Sequence, residues 1–122
     1  MDILRSENKP LKIYYGDHII KEEWNENDKI KHIWRRDNLI FMIEGLEDGI
    51  VKNRKQINEN GVVVYEEIFS YDDFCEIHHY DNNGAYRNNK PAIYILKNNI
   101  VYCKKWYKNG KLYMTKFYKN ND

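Results

Sequence analysis

The sequence predicts an all-β protein: an up-and-down antiparallel meander of about ten strands, built from repeated β-hairpins in an open or partly closed sheet. Three observations carry that expectation. A short phrase recurs four times: a bulky apolar residue, two variable residues, Asn, then Gly or Asp. Turn signals arrive every 6 to 12 residues from end to end, leaving runs of strand length between them. No stretch shows a sustained apolar period of 3.6 residues, the mark of an amphipathic helix.

The copies of the phrase are Trp24-Asn25-Glu26-Asn27-Asp28, Ile57-Asn58-Glu59-Asn60-Gly61, Tyr80-Asp81-Asn82-Asn83-Gly84 and Trp106-Tyr107-Lys108-Asn109-Gly110. Asn-Gly between hydrophobic runs is the strongest short-range hairpin signal. In every copy the residue six places after the anchor is apolar: Ile30, Val63, Tyr86 and Leu112. That spacing selects a three-residue loop closed by a left-handed residue, which pairs each anchor with position +6. The expected cross-strand pairs are Trp24–Ile30, Ile57–Val63, Tyr80–Tyr86 and Trp106–Leu112. The left-handed seat falls on Gly61, Gly84 and Gly110, and on Asp28 in the first copy.

Taken in order, the chain repeats more than its turns. Asn8-Lys9-Pro10 precedes Leu11-Lys12-Ile13-Tyr14-Tyr15, and Asn89-Lys90-Pro91 precedes Ala92-Ile93-Tyr94-Ile95-Leu96. Proline suits the first residue of a strand or an edge, so Pro10 and Pro91 mark where repeats begin. Weaker turns are expected at Gly16-Asp17, Asp37-Asn38, Glu47-Asp48-Gly49, Tyr71-Asp72-Asp73, Asn88-Asn89 and Asn98-Asn99. Residues 62–69 would be the best helix candidate, but Val62-Val63-Val64-Tyr65 favours strand. The anchors are spaced by 33, 23 and 26 residues, which suggests an insertion around residues 45–53. One domain is expected, with repeats at roughly 8–36, 37–70, 71–90 and 91–120.

Eleven tyrosines suit strands with one buried and one wet face. The N-terminal stretch Met1-Asp2-Ile3-Leu4-Arg5-Ser6 lacks an apolar signal core, and no run reaches membrane-spanning length. The expectation is a soluble, non-secreted protein, cytoplasmic or inside a virion or host cell. Cys75 and Cys103 fall on strands separated by a third, about 10 Å apart, too far for a disulfide. Two free thiols are expected.

Gly84-Ala85-Tyr86-Arg87-Asn88-Asn89-Lys90-Pro91-Ala92-Ile93, followed by Trp106-Tyr107-Lys108-Asn109-Gly110-Lys111-Leu112, resembles a variant of the MORN repeat. That variant reads as an aromatic, Asn-Gly, Lys, an apolar residue, then Arg, a turn and Pro-Ala. It is familiar in proteins of giant DNA viruses and bacteria, with YwqK-type antitoxins as distant bacterial relatives. The resemblance is strongest over residues 80–118, weaker over 8–36 and weakest over 37–79. It implies an extended β-meander used for contacts between macromolecules.

Catalytic chemistry is not expected. His78 and His79 are adjacent and point to opposite faces of a strand, so they cannot share a metal. Glu76, His78 and Tyr80 do share a face, a pattern compatible with acid–base work, yet no third ligand is evident. Cys75 near His79 has no orienting Asn or oxyanion loop beside it. No phosphate loop, CxxC pair or HExxH occurs. No catalytic residue, metal or cofactor is therefore assigned.

Trp24 and Trp106 sit at repeat-equivalent places and are expected in the core. Trp34 follows no repeat rule and is followed by Arg35 and Arg36, which marks it as the surface aromatic.

Charge is the least generic feature. Residues 1–81 hold 18 acidic and 11 basic side chains, whereas residues 82–122 hold nine basic and one acidic. Basic residues interleaved with aromatics can track an anionic partner. The expected contact residues are Lys104, Lys105, Lys108, Lys111 and Lys116, with Trp34, Arg35 and Arg36. The expected function is a non-enzymatic interaction or structural module, viral or bacterial, binding through its basic C-terminal strands. A protein partner or self-association is preferred to nucleic acid, which the acidic half would repel. The alternatives are a small-molecule-binding meander barrel, which needs closed edges and a lumen, and an antitoxin or immunity protein.

Overall fold

The computed structural model describes residues 10–26, 29–70 and 72–119. Ten strands follow one another: β1 (Leu11–Tyr15), β2 (His18–Glu26), β3 (Lys29–Arg36), β4 (Leu39–Glu47), β5 (Ile50–Ile57), β6 (Val63–Phe69), β7 (Phe74–His79), β8 (Ile93–Lys97), β9 (Ile100–Lys108) and β10 (Lys111–Phe117). They form one antiparallel sheet whose spatial order is the sequence order. The sheet does not close, so β1 and β10 are its edges. The barrel alternative, which requires those edges to meet, is thereby set aside. No helix occurs among the described residues, and none is long and apolar enough to cross a membrane.

Each connection follows from its residues. Gly16, Asp37-Asn38, Asp48-Gly49, Asp72-Asp73, Asn98-Asn99 and Asn109-Gly110 all have positive φ, the conformation that tight hairpins demand. Glycine adopts it freely, and Asn and Asp tolerate it best among the others. Pro10 immediately precedes β1, and Pro91 stands two residues before β8, where neither owes the sheet an N–H. Asn88-Asn89 lies within the long connection from β7 to β8 and does not itself join two strands. Asn8, Lys9, Tyr71 and Asp28 lie outside the described residues.

The four hairpin phrases divide two and two. Ile57 pairs with Val63, and Tyr80 with Tyr86, as expected. In each loop an Asx side chain accepts two backbone N–H groups. Asn58 Oδ1 accepts from Asn60 at 2.9 Å and Val62 at 3.0 Å. Asp81 Oδ1 accepts from Asn83 at 2.8 Å and Ala85 at 3.1 Å. Gly61 and Gly84 take the left-handed seat at φ 81° and 89°.

The other two pairs depart from the expected register. Trp24 lies opposite Lys31, with Asn25 opposite Ile30. Trp106 lies opposite Met114, and Leu112 opposite Tyr107, with a bulge between Leu112 and Met114. Both loops that pair at +6 have Asx after the anchor and Gly at position +4. The first copy has Asp28 where the Gly should be, and the fourth has Tyr107 where the Asx should be. The fourth is a two-residue turn, with Asn109 at φ 54° and Gly110 at φ 80°.

The expected insertion at residues 45–53 is instead the hairpin between β4 and β5, which carries a bulge. Successive turns of a meander lie at alternate ends of the sheet. Trp24 is on β2 and Ile57 on β5, so their interval spans one strand more than the later intervals do. The turn after Trp24 therefore lies at the opposite end from the turns after Ile57, Tyr80 and Trp106.

A single-layer sheet buries little. The chain exposes 9070 Å², against roughly 7,000 Å² for a compact monomer of this mass. Among the described residues the buried apolar side chains are Ala92, Ile93 and Cys103, and the buried polar ones are Glu22, Glu44 and His78. Trp24 and Trp106, expected in the core, are only half-buried, as is Trp34. Among the described residues there is one sheet and no second layer to cover them. Stability falls instead on cross-strand pairs, including those between charged side chains.

Candidate interaction surfaces

The basic surface is built by β9 and β10. Lys104, Trp106 and Lys108 alternate onto one face of β9, because successive strand residues point to opposite faces. Their partners on β10 are Lys116, Met114 and Lys111, which extend the same face to the sheet edge. Lys105 pairs with Thr115 and belongs to the other face. Four of the five expected lysines thus converge, and one does not. Lys104 and Lys116 each stand 5.1 Å from the Tyr118 ring, and Lys104 is 5.7 Å from Tyr94. Among the described residues none of these lysines forms an ion pair. Every residue of β10 is exposed, including Leu112, Tyr113, Met114 and Phe117 at 43–65%.

Trp34, Arg35 and Arg36 lie on β3, far across the sheet, and are engaged within the chain. Trp34 Nε1 donates to Glu44 Oε1 at 2.9 Å, and Lys21 Nζ stands 4.8 Å from the indole. Arg35 Nε donates to Glu22 at 2.8 Å, and Arg36 stacks on Phe41 at 4.6 Å. The structure therefore does not join this group to the C-terminal lysines.

What holds Trp34 is a row of charges that sequence reading missed. Glu23, His32, Glu44, Arg54 and Glu67 are successive cross-strand partners from β2 to β6. His32 Nε2 lies 3.0 Å from Glu23 and its Nδ1 3.7 Å from Glu44. Arg54 donates to Glu44 at 2.8 Å and to Glu67 at 3.1 Å. Burial pushes the Glu44 carboxyl up. Hydrogen bonds from Arg54 and Trp34, with the charges of Arg54 and His32, reverse this and hold it below the ordinary range. Alternation of Glu and His with apolar residues was visible in the sequence, but its partners depend on register.

Glu76, His78 and Tyr80 do share a face and make contact. His78 is buried, its Nε2 2.9 Å from Glu76 Oε1 and its Nδ1 3.0 Å from Tyr86 Oη. Tyr80 donates to Glu66 at 3.1 Å. Tyr80, Tyr86 and Tyr107 stack in sequence, at 5.0 and 4.3 Å between ring centroids. Burial, with the neighbouring Tyr86 and Glu66, drives the Tyr80 phenol far up, which opposes proton transfer from it. The cluster pins the connection from β7 to β8 onto the sheet. Asn88 Oδ1 adds a bond from the Asn109 amide at 3.1 Å. His79, on the other face, packs edge-on against Tyr65 and Tyr94, and its burial lowers its pKa.

Cys75 and Cys103 are free, on β7 and β9 with β8 between them. Burial, with Glu67 and Glu76 nearby, raises the Cys75 thiol, the reverse of nucleophile activation. Among the described residues no cluster of three His, Cys, Asp or Glu is placed to hold a metal ion.

No family model and no curated protein matches this sequence. Solved structures do resemble it in shape. One is a point mutant of S. aureus TarM in complex with fondaparinux, α-GlcNAc-glycerol and UDP. It matches with a TM-score of 0.55 and 15% identity over 82% of this chain and 22% of that one. Another structure of TarM matches with a TM-score of 0.48 and 13% identity, over 91% and 22% respectively. This chain therefore spans about a fifth of the length of that protein. At such identity the likeness concerns the fold alone: the open meander has a counterpart within a larger protein.

Proposed function

We propose that this chain is a non-enzymatic interaction module that holds an acidic protein surface against β9 and β10. One observation carries the reading. Lys104, Lys108, Lys111 and Lys116 converge on one face beside an exposed sheet edge, and among the described residues no carboxylate pairs with any of them. Lysines on a last strand also discourage unwanted strand pairing. Edge protection does not require that Lys104, on the interior strand β9, join the same face. Exposed Met114 and half-buried Trp106 between the lysines supply apolar area, as interface centres usually do. The resemblance to MORN-variant repeats points the same way. Within the whole chain, the acidic N-terminal strands favour a protein over a polyanion.

The test is capture by the tagged chain from host lysate, followed by binding measurements with the captured protein at low and high salt. Reversing Lys104, Lys108, Lys111 and Lys116 to Glu should abolish the interaction while circular dichroism stays unchanged. Log affinity falling with log salt by nearly one unit per lysine would indicate nucleic acid instead. A folded quadruple mutant that keeps every interaction would leave these lysines as edge protection only.

A further inference from the structure

A separate feature lies on the acidic half of the chain, where the sequence offers no reason to seek an anion site. A depression of about 620 Å³ opens between β2 and β5, lined by Trp24, Asn53, four lysines (Lys29, Lys31, Lys52 and Lys55) and two carboxylates (Glu44 and Glu47) among others. That volume suits a small ligand. Trp24, Lys31, Gly45 and Asn53 are successive cross-strand partners, so they form one row on one face. The row of Glu23, Glu44 and Glu67 occupies the opposite face, because it is offset by one residue. Acidic composition and local charge therefore part company here. Lys31 and Lys55 share this face with Glu22 and Glu47, which are paired to Arg35 and Lys29. Glu44, which also lines the depression, is held by Arg54, and the lysines outnumber the carboxylates in the lining.

Three details make the depression a built one. Gly45 sits in the interior of β4 without a positive φ, so backbone geometry does not require glycine. A Cβ there would come within 3.1 Å of both Asn53 Oδ1 and Nδ2. The missing side chain thus lets the Asn53 amide lie across the floor. The bulge at Gly45/Leu46 sets Asn53 opposite Gly45 and Val51 opposite Leu46, leaving Lys52 as the extra residue on β5. Lys29 is paired to Glu47 at 3.8 Å, while Lys31 and Lys55 form no ion pair among the described residues.

The third detail is the Trp24 indole. Its Nε1 is covered yet has no hydrogen-bond partner. An unpaired buried donor is costly and rare in native folds. A ligand entering the depression would have to displace the atoms that cover this N–H. An oxygen acceptor would then satisfy the N–H.

We propose that this depression binds a small anion-bearing ring compound, such as a sugar phosphate or a nucleotide. The ring lies against Trp24, an oxygen accepts from its Nε1, the Asn53 amide fixes orientation, and Lys31 and Lys55 hold the charged group. The site does not involve β9 or β10, so it stands or falls independently of the protein-binding surface.

The test follows the indole N–H resonances by heteronuclear NMR of the whole chain, with Trp24→Phe assigning the Trp24 signal. Probes are a hexose phosphate, the unphosphorylated hexose, a nucleoside monophosphate and inorganic phosphate, each titrated to about 10 mM, past the millimolar range of weak binding. The expected result is a saturable shift of the Trp24 signal with one or both ring-bearing phosphates. Whichever of the two binds more tightly identifies the ligand class, and the hexose and inorganic phosphate should bind at least about tenfold more weakly, a difference of ~1.4 kcal/mol. Lys31→Gln with Lys55→Gln should weaken binding by a similar factor, with the remaining resonances unmoved. Absence of any shift with all four probes would overturn the proposal, as would undiminished binding by the double mutant. Equal binding of inorganic phosphate alone would likewise overturn it, since the ring and the indole would then contribute nothing.

Discussion

Replacing Glu44 with Gln should expose how far this sheet depends on charges instead of a core. The carboxylate accepts from Trp34 Nε1 at 2.9 Å and from Arg54 Nε at 2.8 Å, and its side chain is 10% exposed. Glutamine keeps the shape but offers one acceptor oxygen and one NH₂ group. Either the indole or the guanidinium must then face a donor. A hydrogen bond to a charged group is worth about 1.5–3 kcal/mol. Arg54 keeps Glu67 at 3.1 Å and is 33% exposed, so water recovers part of the loss. The net destabilisation should be about 2 kcal/mol at pH 7, a large share of a single domain's stability. Urea unfolding of parent and mutant should show it as a midpoint lowered by roughly 1 M, given usual slopes. The pH dependence supplies a second check. The Glu44 pKa is held below its usual value of 4.5, so its stabilisation is fully present above that value. It is lost as pH falls through the depressed folded value. The gap between parent and mutant should therefore be constant from about pH 7 to about pH 5.5 and shrink only on further acidification. A loss below roughly 0.5 kcal/mol at pH 7 would refute the argument, as that is the scale of an ordinary surface substitution.

Gly110→Val should cost roughly 1–2 kcal/mol by forcing a β-branched residue to positive φ; the space around Gly110 is open, so thermal unfolding would register backbone strain alone. His78→Ala should lower stability by roughly 1–3 kcal/mol, because Tyr86 Oη and Glu76 lose their shared partner. The folded His78→Ala protein should keep its binding, and complete loss of binding would point to chemistry at that cluster. Cys75 should react with a thiol reagent at pH 7 more slowly than a free cysteine peptide, since its thiolate is disfavoured. Mass spectrometry after mild oxidation should find no Cys75–Cys103 disulfide; finding one would contradict the intervening strand β8.

The strands and their order were legible because they rest on local chemistry. Tight turns need positive φ, only Gly, Asn and Asp supply it readily, and this chain places them at regular intervals. A meander then turns sequence order into spatial order, which is why the lysines after residue 82 gather on neighbouring strands. Even the mixed register of the four phrases has a sequence signal. Loops with both Asx after the anchor and Gly at +4 pair at +6, as at Ile57 and Tyr80. Trp24 lacks the Gly and Trp106 lacks the Asx, so the apolar residue at +6 misled in both.

Which side chains meet was decided only by the folded sheet. A bulge adds one residue to one strand, and a one-residue offset moves every later side chain to the other face. Such offsets occur at Gly45/Leu46 and Leu112/Met114, among others. They determine that Lys111 and Lys116 share a face, that Glu44 meets Arg54, and that Lys52 joins the depression beside Trp24. Composition could not announce the missing second layer either, so Trp24 and Trp106 looked like core. Turn geometry is written in a few adjacent residues. Face and partner depend on the summed register of strands far apart in the chain, and no local stretch contains that sum.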